Sequence, residues 1–181
     1  MFTAEIYSKR REELRRRVGQ GLILLPGNVE SPLNYPNNAY HFRQDSTFLY
    51  YFGHNVPLLV ATIDADTGEE VLYGDDFTVD DIIWMGPQAT IRDLAAEVGV
   101  ANAKPMAALA VDIQKAIALG RDVHYLPPYR GETKLMLSDL LGIAPSMLHA
   151  RKSLDLLFAV AEMREKKGPE EIAAMEEAFE I

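Results

Sequence analysis

The order of apolar and polar positions divides this chain into short elements before any other property is considered. Gly21-Leu22-Ile23-Leu24-Leu25-Pro26-Gly27 is a continuous apolar run closed by Pro-Gly, the pattern of a strand buried on both faces. Upstream, Thr3 to Val18 reads as a helix: Ile6, Leu14 and Val18 fall on an i+4 ladder with Tyr7 beside it, and Gly19 stops the helix. Lys9, Arg10, Arg11, Arg15, Arg16 and Arg17, with Glu12 and Glu13 among them, occupy the other face. The leading reading of that face is a solvated one, with a patch for an anionic partner as the alternative.

A loop rich in Asn and Pro follows from Asn28 to Asn38. The aromatic run Phe48-Leu49-Tyr50-Tyr51-Phe52-Gly53 predicts a strand. Pro57–Ile63 and Glu70–Tyr73 flank Asp64-Ala65-Asp66-Thr67-Gly68 and predict a β-hairpin. Beyond it, Val79–Met85, Ile91–Val98, Met106–Leu119, Glu132–Leu141 and Leu154–Glu165 have helical periodicity. Asp122–Leu126 predicts a strand closed by Pro127-Pro128. Early hairpin signals and later strand–helix alternation predict an α/β fold, a mixed sheet with helices packed against it.

The final segment starts a further helix. Pro169 suits its first turn, Glu170 and Glu171 favour the positive end of the helix dipole, and Ile172, Met175 and Phe179 form one apolar stripe. The chain reaches Ile181 with no Gly or Asn cap and no basic last turn. An apolar face opened there wants a partner, so the expectation is the front part of a longer protein.

Composition narrows the function classes. The 181 residues are 48% hydrophobic with a net charge of −9, enough for one substantial core and unfavourable for a dedicated nucleic-acid binder. There are no cysteines, which excludes a disulfide framework and thiolate metal sites. No apolar run approaches the roughly 18–20 residues of a membrane-spanning helix, and the N-terminal stretch is not a signal peptide. A cytoplasmic protein is the resulting expectation.

Catalytic patterns are scarce. His41, His54, His124 and His149 are scattered and form no short-range ligand pair. Asp64–Gly68 has part of a calcium-loop pattern but lacks the later ligands, so a hairpin turn is the better reading. Asp75-Asp76 and Asp80-Asp81 could pair as acid and base, although a polar loop and a helix start explain them more simply. There is no nucleophile elbow, Walker loop or dinucleotide fingerprint. Two segments stand out. One packs aromatics around Arg43, Gln44 and Asp45, where polar side chains would fix the lead-in to a strand. The other, Asp81-Ile82-Ile83-Trp84-Met85-Gly86-Pro87, carries the single tryptophan at an element end, either core or interface anchor.

The segments Tyr40–Gly53, Asp81-Ile82-Ile83-Trp84-Met85-Gly86 and Glu162-Met163-Arg164-Glu165-Lys166-Lys167-Gly168-Pro169-Glu170-Glu171-Ile172, together with the opening basic helix and Leu25-Pro26-Gly27, give the chain a family likeness. It resembles the N-terminal domain of Xaa-Pro aminopeptidases (aminopeptidase P), in the family that includes prolidase and creatinase. The resemblance covers essentially the whole chain and implies that 1–167 form this domain, while 168–181 lead into a C-terminal catalytic domain. It further implies that such a domain carries two divalent metal ions, usually manganese, on two Asp, one His and two Glu. Those metals activate a hydroxide that cleaves the bond before a proline in second position. None of the five ligands can be placed in these residues, so neither catalysis nor a cofactor is expected of the chain itself.

The implied partners are the C-terminal catalytic domain, further copies in a homodimer or tetramer, and short proline-containing peptides. The implied access residues are Trp84, presenting its indole to a partner's peptide channel, and Arg164, reaching the active-site mouth or a peptide carboxylate. Core packing for Trp84 and an ordinary helix-end cation for Arg164 are the simpler alternatives. A prolidase-type dipeptidase or creatinase-like enzyme would use a similar domain, and a stand-alone protein-interaction module is the reading from another class.

Overall fold

The computed structural model describes residues 1–35 and 38–180. Its elements run α1 (Ala4–Val18), β1 (Leu22–Pro26), β2 (Pro32–Tyr35), β3 (Asn38–Ala39), α2 (Ser46–Phe52), β4 (Val60–Asp64), β5 (Glu70–Tyr73), α3 (Val79–Met85), α4 (Ile91–Glu97), β6 (Asn102–Lys104), α5 (Ala107–Ala118), β7 (Val123–His124), α6 (Gly131–Leu141), α7 (Leu154–Glu165) and α8 (Pro169–Phe179), with a 3-10 turn at Pro145–Met147. A mixed five-stranded sheet has the order β6-β5-β4-β1-β7. β1 pairs antiparallel with β4 and parallel with β7, and β5 pairs antiparallel with β4 and parallel with β6.

Helices cover both faces of this sheet, which is why β1 reads as an unbroken apolar run. Ile23 and Leu25 of β1, Ala61 and Ile63 of β4 and Leu72 of β5 enter one core with α1, α2, α4 and α7. Their alternates Leu22, Leu24, Val60, Val71 and Tyr73 enter a second core with α5 and α6. The expected α/β architecture is therefore present, and its strand period is two throughout.

Three expectations need correction. The Phe48–Gly53 run is not a strand but most of α2. Asp45 caps this helix by accepting from the amides of Thr47 (2.8 Å) and Phe48 (3.0 Å), and Gly53 closes it in the left-handed region with φ 70°. A Cβ at Gly53 would also lie 2.3 Å from the Tyr7 hydroxyl, so glycine is required twice over. Thr47, Phe48, Tyr51 and Phe52 are buried with helical spacing, and this packing outweighs the β-propensity of the aromatics.

The second correction concerns the basic face of α1. Arg10 and Arg11 belong to its buried stripe with Tyr7, Leu14 and Val18, whereas Ile6 is only half-buried. Arg11 is fully buried because its planar fork is satisfied: it donates to Glu70 (2.8 Å) and to the carbonyls of Tyr51 (3.0 Å) and Val98 (2.9 Å). Burial pushes the Glu70 carboxyl up, against the pull of Arg11.

Third, the span 28–38 contains the hairpin strand β2 and the start of β3, although residues 36 and 37 lie outside the described residues. The remaining helices and the β4–β5 hairpin fall where their periodicity places them. The hairpin turn is an Asx turn: Asp64 accepts from the amides of Asp66 (3.0 Å) and Thr67 (2.9 Å) and from the Arg121 guanidinium (2.7 and 2.8 Å). Among the described residues no helix is long and apolar enough to cross a membrane.

Candidate functional site

The aromatic segment builds one wall of the site from its polar residues. Gln44 is fully buried and joins three chain segments. Its Oε1 accepts from the amides of Asn28 and of Asp45 (2.8 Å), its Nε2 donates to the Val56 carbonyl (2.7 Å), and its own amide donates to Asn55 (2.8 Å). This ties the end of β1 to both ends of α2. Gly27 has to be glycine here, because a Cβ would lie 2.6 Å from the Leu59 carbonyl and 2.7 Å from the Gln44 amide nitrogen. Arg43, expected to help fix the segment, stays exposed and donates to Ser46 Oγ at 3.0 Å. The main anchoring is by Gln44 and Asp45, and what they anchor is a helix.

Beside the start of α2 lies a groove of about 520 Å³. Leu126, Pro127, Leu157, Val160 and Ala161 supply its apolar floor. Asp45, Thr47 and Tyr129 line it together with Arg164 and Glu165, from the end of α7, and Lys167 just beyond that helix. Tyr129 donates to Asp45 (3.1 Å), and Arg164 donates across the groove to the Thr47 hydroxyl (3.2 Å). Burial pushes the Tyr50 phenol up; its hydroxyl donates to the Met163 carbonyl at 3.1 Å and steadies the last turn of α7. A fixed guanidinium over an apolar floor can hold a carboxylate or a peptide carbonyl. Of the groove residues, the sequence singles out Asp45 and Arg164 separately; the lining comes from three separated segments, and only the Pro127-Pro128 loop signal hints at the third.

Trp84 sits elsewhere, on α3, and does not line this groove. Thr78 and Asp81 form a reciprocal capping box that starts α3, yet none of its residues is buried and Trp84 is 86% exposed. Ile83 and Met85 are exposed with it, so core packing does not account for the tryptophan. The structure thus leaves Trp84 and Arg164 in separate places.

The acidic pairs are occupied with helix starts. Asp75 accepts from the Met106 amide (3.0 Å), Asp76 from Ile91 (2.7 Å) and Asp81 from Thr78 (2.9 Å). Ser153 Oγ and His124 Nδ1 lie 2.7 Å apart, and both side chains are also held by backbone partners. His124 Nε2 donates to the Gln20 carbonyl (3.0 Å), and Ser153 Oγ accepts from the Leu156 amide (3.2 Å) as the cap of α7. Among the described residues no group of three or more His, Asp or Glu could hold a metal ion.

Comparison with known proteins decides the family. The family description "Aminopeptidase P, N-terminal domain" matches residues 7–125. The chain belongs to that family. This aminopeptidase P N-terminal domain is 29% identical over 142 residues to a probable Xaa-Pro aminopeptidase of Talaromyces stipitatus, covering 74% of the chain and 28% of the relative. It is 30% identical over 113 residues to one of Aspergillus niger, covering 62% of the chain and 23% of the relative. A low-pH form of Escherichia coli aminopeptidase P matches with a TM-score of 0.75 at 23% identity, over 96% of this chain and 41% of that one. An Asp→Ala variant of the same enzyme gives 0.79 at 24% identity, over 100% and 43%. At such identities the structural likeness speaks for the fold. The chain spans only about a quarter of the fungal relatives' length.

Proposed function

We propose that the chain is the non-catalytic N-terminal domain of a metal-dependent Xaa-Pro aminopeptidase, an enzyme that removes the N-terminal residue from peptides with proline in second position. The observation that carries this reading is the family match over residues 7–125 combined with coverage of just 28% of a much longer probable Xaa-Pro aminopeptidase. In this reading residues 1–167 are the domain and 168–181 lead into a C-terminal catalytic domain holding two divalent metal ions, manganese by family resemblance. The break in helix at Lys166-Lys167-Gly168, between α7 and α8, supports that boundary. The work of this chain is to support a dimer or tetramer and to narrow the approach to the active site. A reducing, cytoplasmic setting suits a sequence without cysteine.

Two side chains take roles in that work. Trp84 presents a rigid, 86% exposed indole to the peptide channel of a partner subunit, where an aromatic supplies contact area at low entropy cost. Arg164 stands at the junction, where its guanidinium can reach the active-site mouth or a peptide carboxylate. In the full-length enzyme, Trp84→Ala and Arg164→Ala should each raise KM or shift peptide-length preference, measured by steady-state kinetics on a series of Xaa-Pro peptides. Unchanged constants across the series would remove that role from the residue concerned. The same series separates substrate classes: cleavage confined to Xaa-Pro dipeptides would favour a prolidase-type enzyme instead.

A further inference from the structure

Arg10 has an environment that the proposed access function does not use. Its side chain is only 8% exposed, and its Cζ lies 4.1 Å from the Tyr50 ring centroid, 4.9 Å from Phe2 and 6.0 Å from Tyr7. One guanidinium nitrogen donates to the Tyr50 carbonyl at 3.0 Å, which anchors Arg10 to α2. Its Nη2 lies 3.1 Å from Glu170 and 3.7 Å from Glu171 in the first turn of α8. Glu171 also accepts from the Gly168 amide at 3.0 Å, so the same carboxylate both starts α8 and faces Arg10.

The rest of α8 has little to hold it. No residue of α8 is buried, and Ile172, Met175 and Phe179 are all exposed. An isolated helix of this length is marginal in water. Its direction relative to α7 has to be set at the three residues 166–168 and at its first turn. An arginine buried among aromatic rings, with its fork half spent on α2, is a rigid fixture for that purpose.

We infer that Arg10 is a latch: by gripping Glu170 and Glu171 it fixes the direction in which α8 leaves the domain and keeps the helix wound. Arg10 is thus a positioning residue for whatever α8 is joined to; that consequence rests on the proposed function, whereas the latch itself belongs to this chain alone. Partly buried, charge-assisted hydrogen bonds are strong enough to matter here, unlike the exposed Lys9–Glu5 and Arg16–Glu13 pairs on the same helix.

Hydrogen–deuterium exchange on this 181-residue chain tests the latch, so its failure is distinct from failure of the catalytic reading. In Glu170→Gln/Glu171→Gln the glutamines keep the capping geometry but lose the charges. The amides of residues 172–179 should then exchange about tenfold faster, with α1 and α2 unchanged. Salt at about 1 M should accelerate the same amides in the wild type and leave the variant unaffected. Adding Arg10→Met, which keeps bulk among the rings, should bring no further acceleration in α8. The latch is overturned if α8 exchanges equally in wild type and glutamine variant. It is also overturned if Arg10→Met adds a second increment in α8, or if the glutamine variant accelerates α1 and α2 as much as α8.

Discussion

Two seven-residue helices make the most useful contrast in this molecule. α2 (Ser46–Phe52) and α3 (Val79–Met85) are both capped, short and rich in large apolar side chains. Four residues of α2 are buried and none of α3 is. Capping decides that each segment is a helix, but partners distant in sequence decide what the helix is for. α2 is locked by Gln44, by the Arg11–Tyr51 carbonyl bond and by packing on α1 and β1, so its aromatics are core. α3 lies between β5 and α4 without a covering element, so its tryptophan, isoleucine and methionine remain a presented surface.

Substitutions should separate the two helices sharply. Phe48→Ala, which empties a fully packed site, should cost about 3–5 kcal/mol in urea unfolding. A cost below ~1 kcal/mol would show that α2 is not the core element described. Gln44→Ala strands the amides of Asn28 and Asp45 and the Val56 carbonyl; each buried group left unpaired costs about 1–3 kcal/mol, so the loss should exceed that of any surface change on α3.

A smaller, pH-dependent effect belongs to the β4–β5 turn. Burial would raise the Asp64 carboxyl, but Arg121 at 2.7 and 2.8 Å and the Thr67 and Asp66 amides hold it below the usual carboxylate range. Because the folded-state value is depressed, the pair stabilises the protein above the unfolded pKa of about 4 and the contribution disappears as pH falls through the folded value. Stability should therefore drop below about pH 4 in the wild type. Asp64→Asn should be less stable than the wild type at neutral pH and show a shallower acid loss; parallel curves would exclude the pair as the cause. At the small end, Trp84→Ala should change stability by no more than about 0.5 kcal/mol, since the side chain packs against nothing it would lose. A loss like that of Phe48→Ala would erase the contrast.

How far the sequence could be read follows the same division. β1, the β4–β5 hairpin, α5 and α6 are legible because their apolar period and their Gly and Pro boundaries are local. α2 was obscured by its aromatics, although Asp45 ahead of the run and Gly53 after it are helix boundaries in their own right. β6, Asn102-Ala103-Lys104, has no apolar run and becomes a strand only by pairing with β5. Arg10 and Arg11 look solvated until Glu70, Val98, Tyr50 and Glu170 are brought to them from 40 or more positions away. The groove is assembled from three separated segments, so Asp45 and Arg164 could be singled out beforehand but not brought together.

This chain folds as an aminopeptidase P N-terminal domain, and in the proposed function the hydrolytic chemistry belongs to a separate C-terminal domain. The most direct test of that division is the release of the N-terminal residue from an Xaa-Pro peptide by the purified 181-residue chain with added Mn²⁺. The predicted result is no turnover above a metal-only blank. Turnover that rises in proportion to the chain and with Mn²⁺ would contradict it.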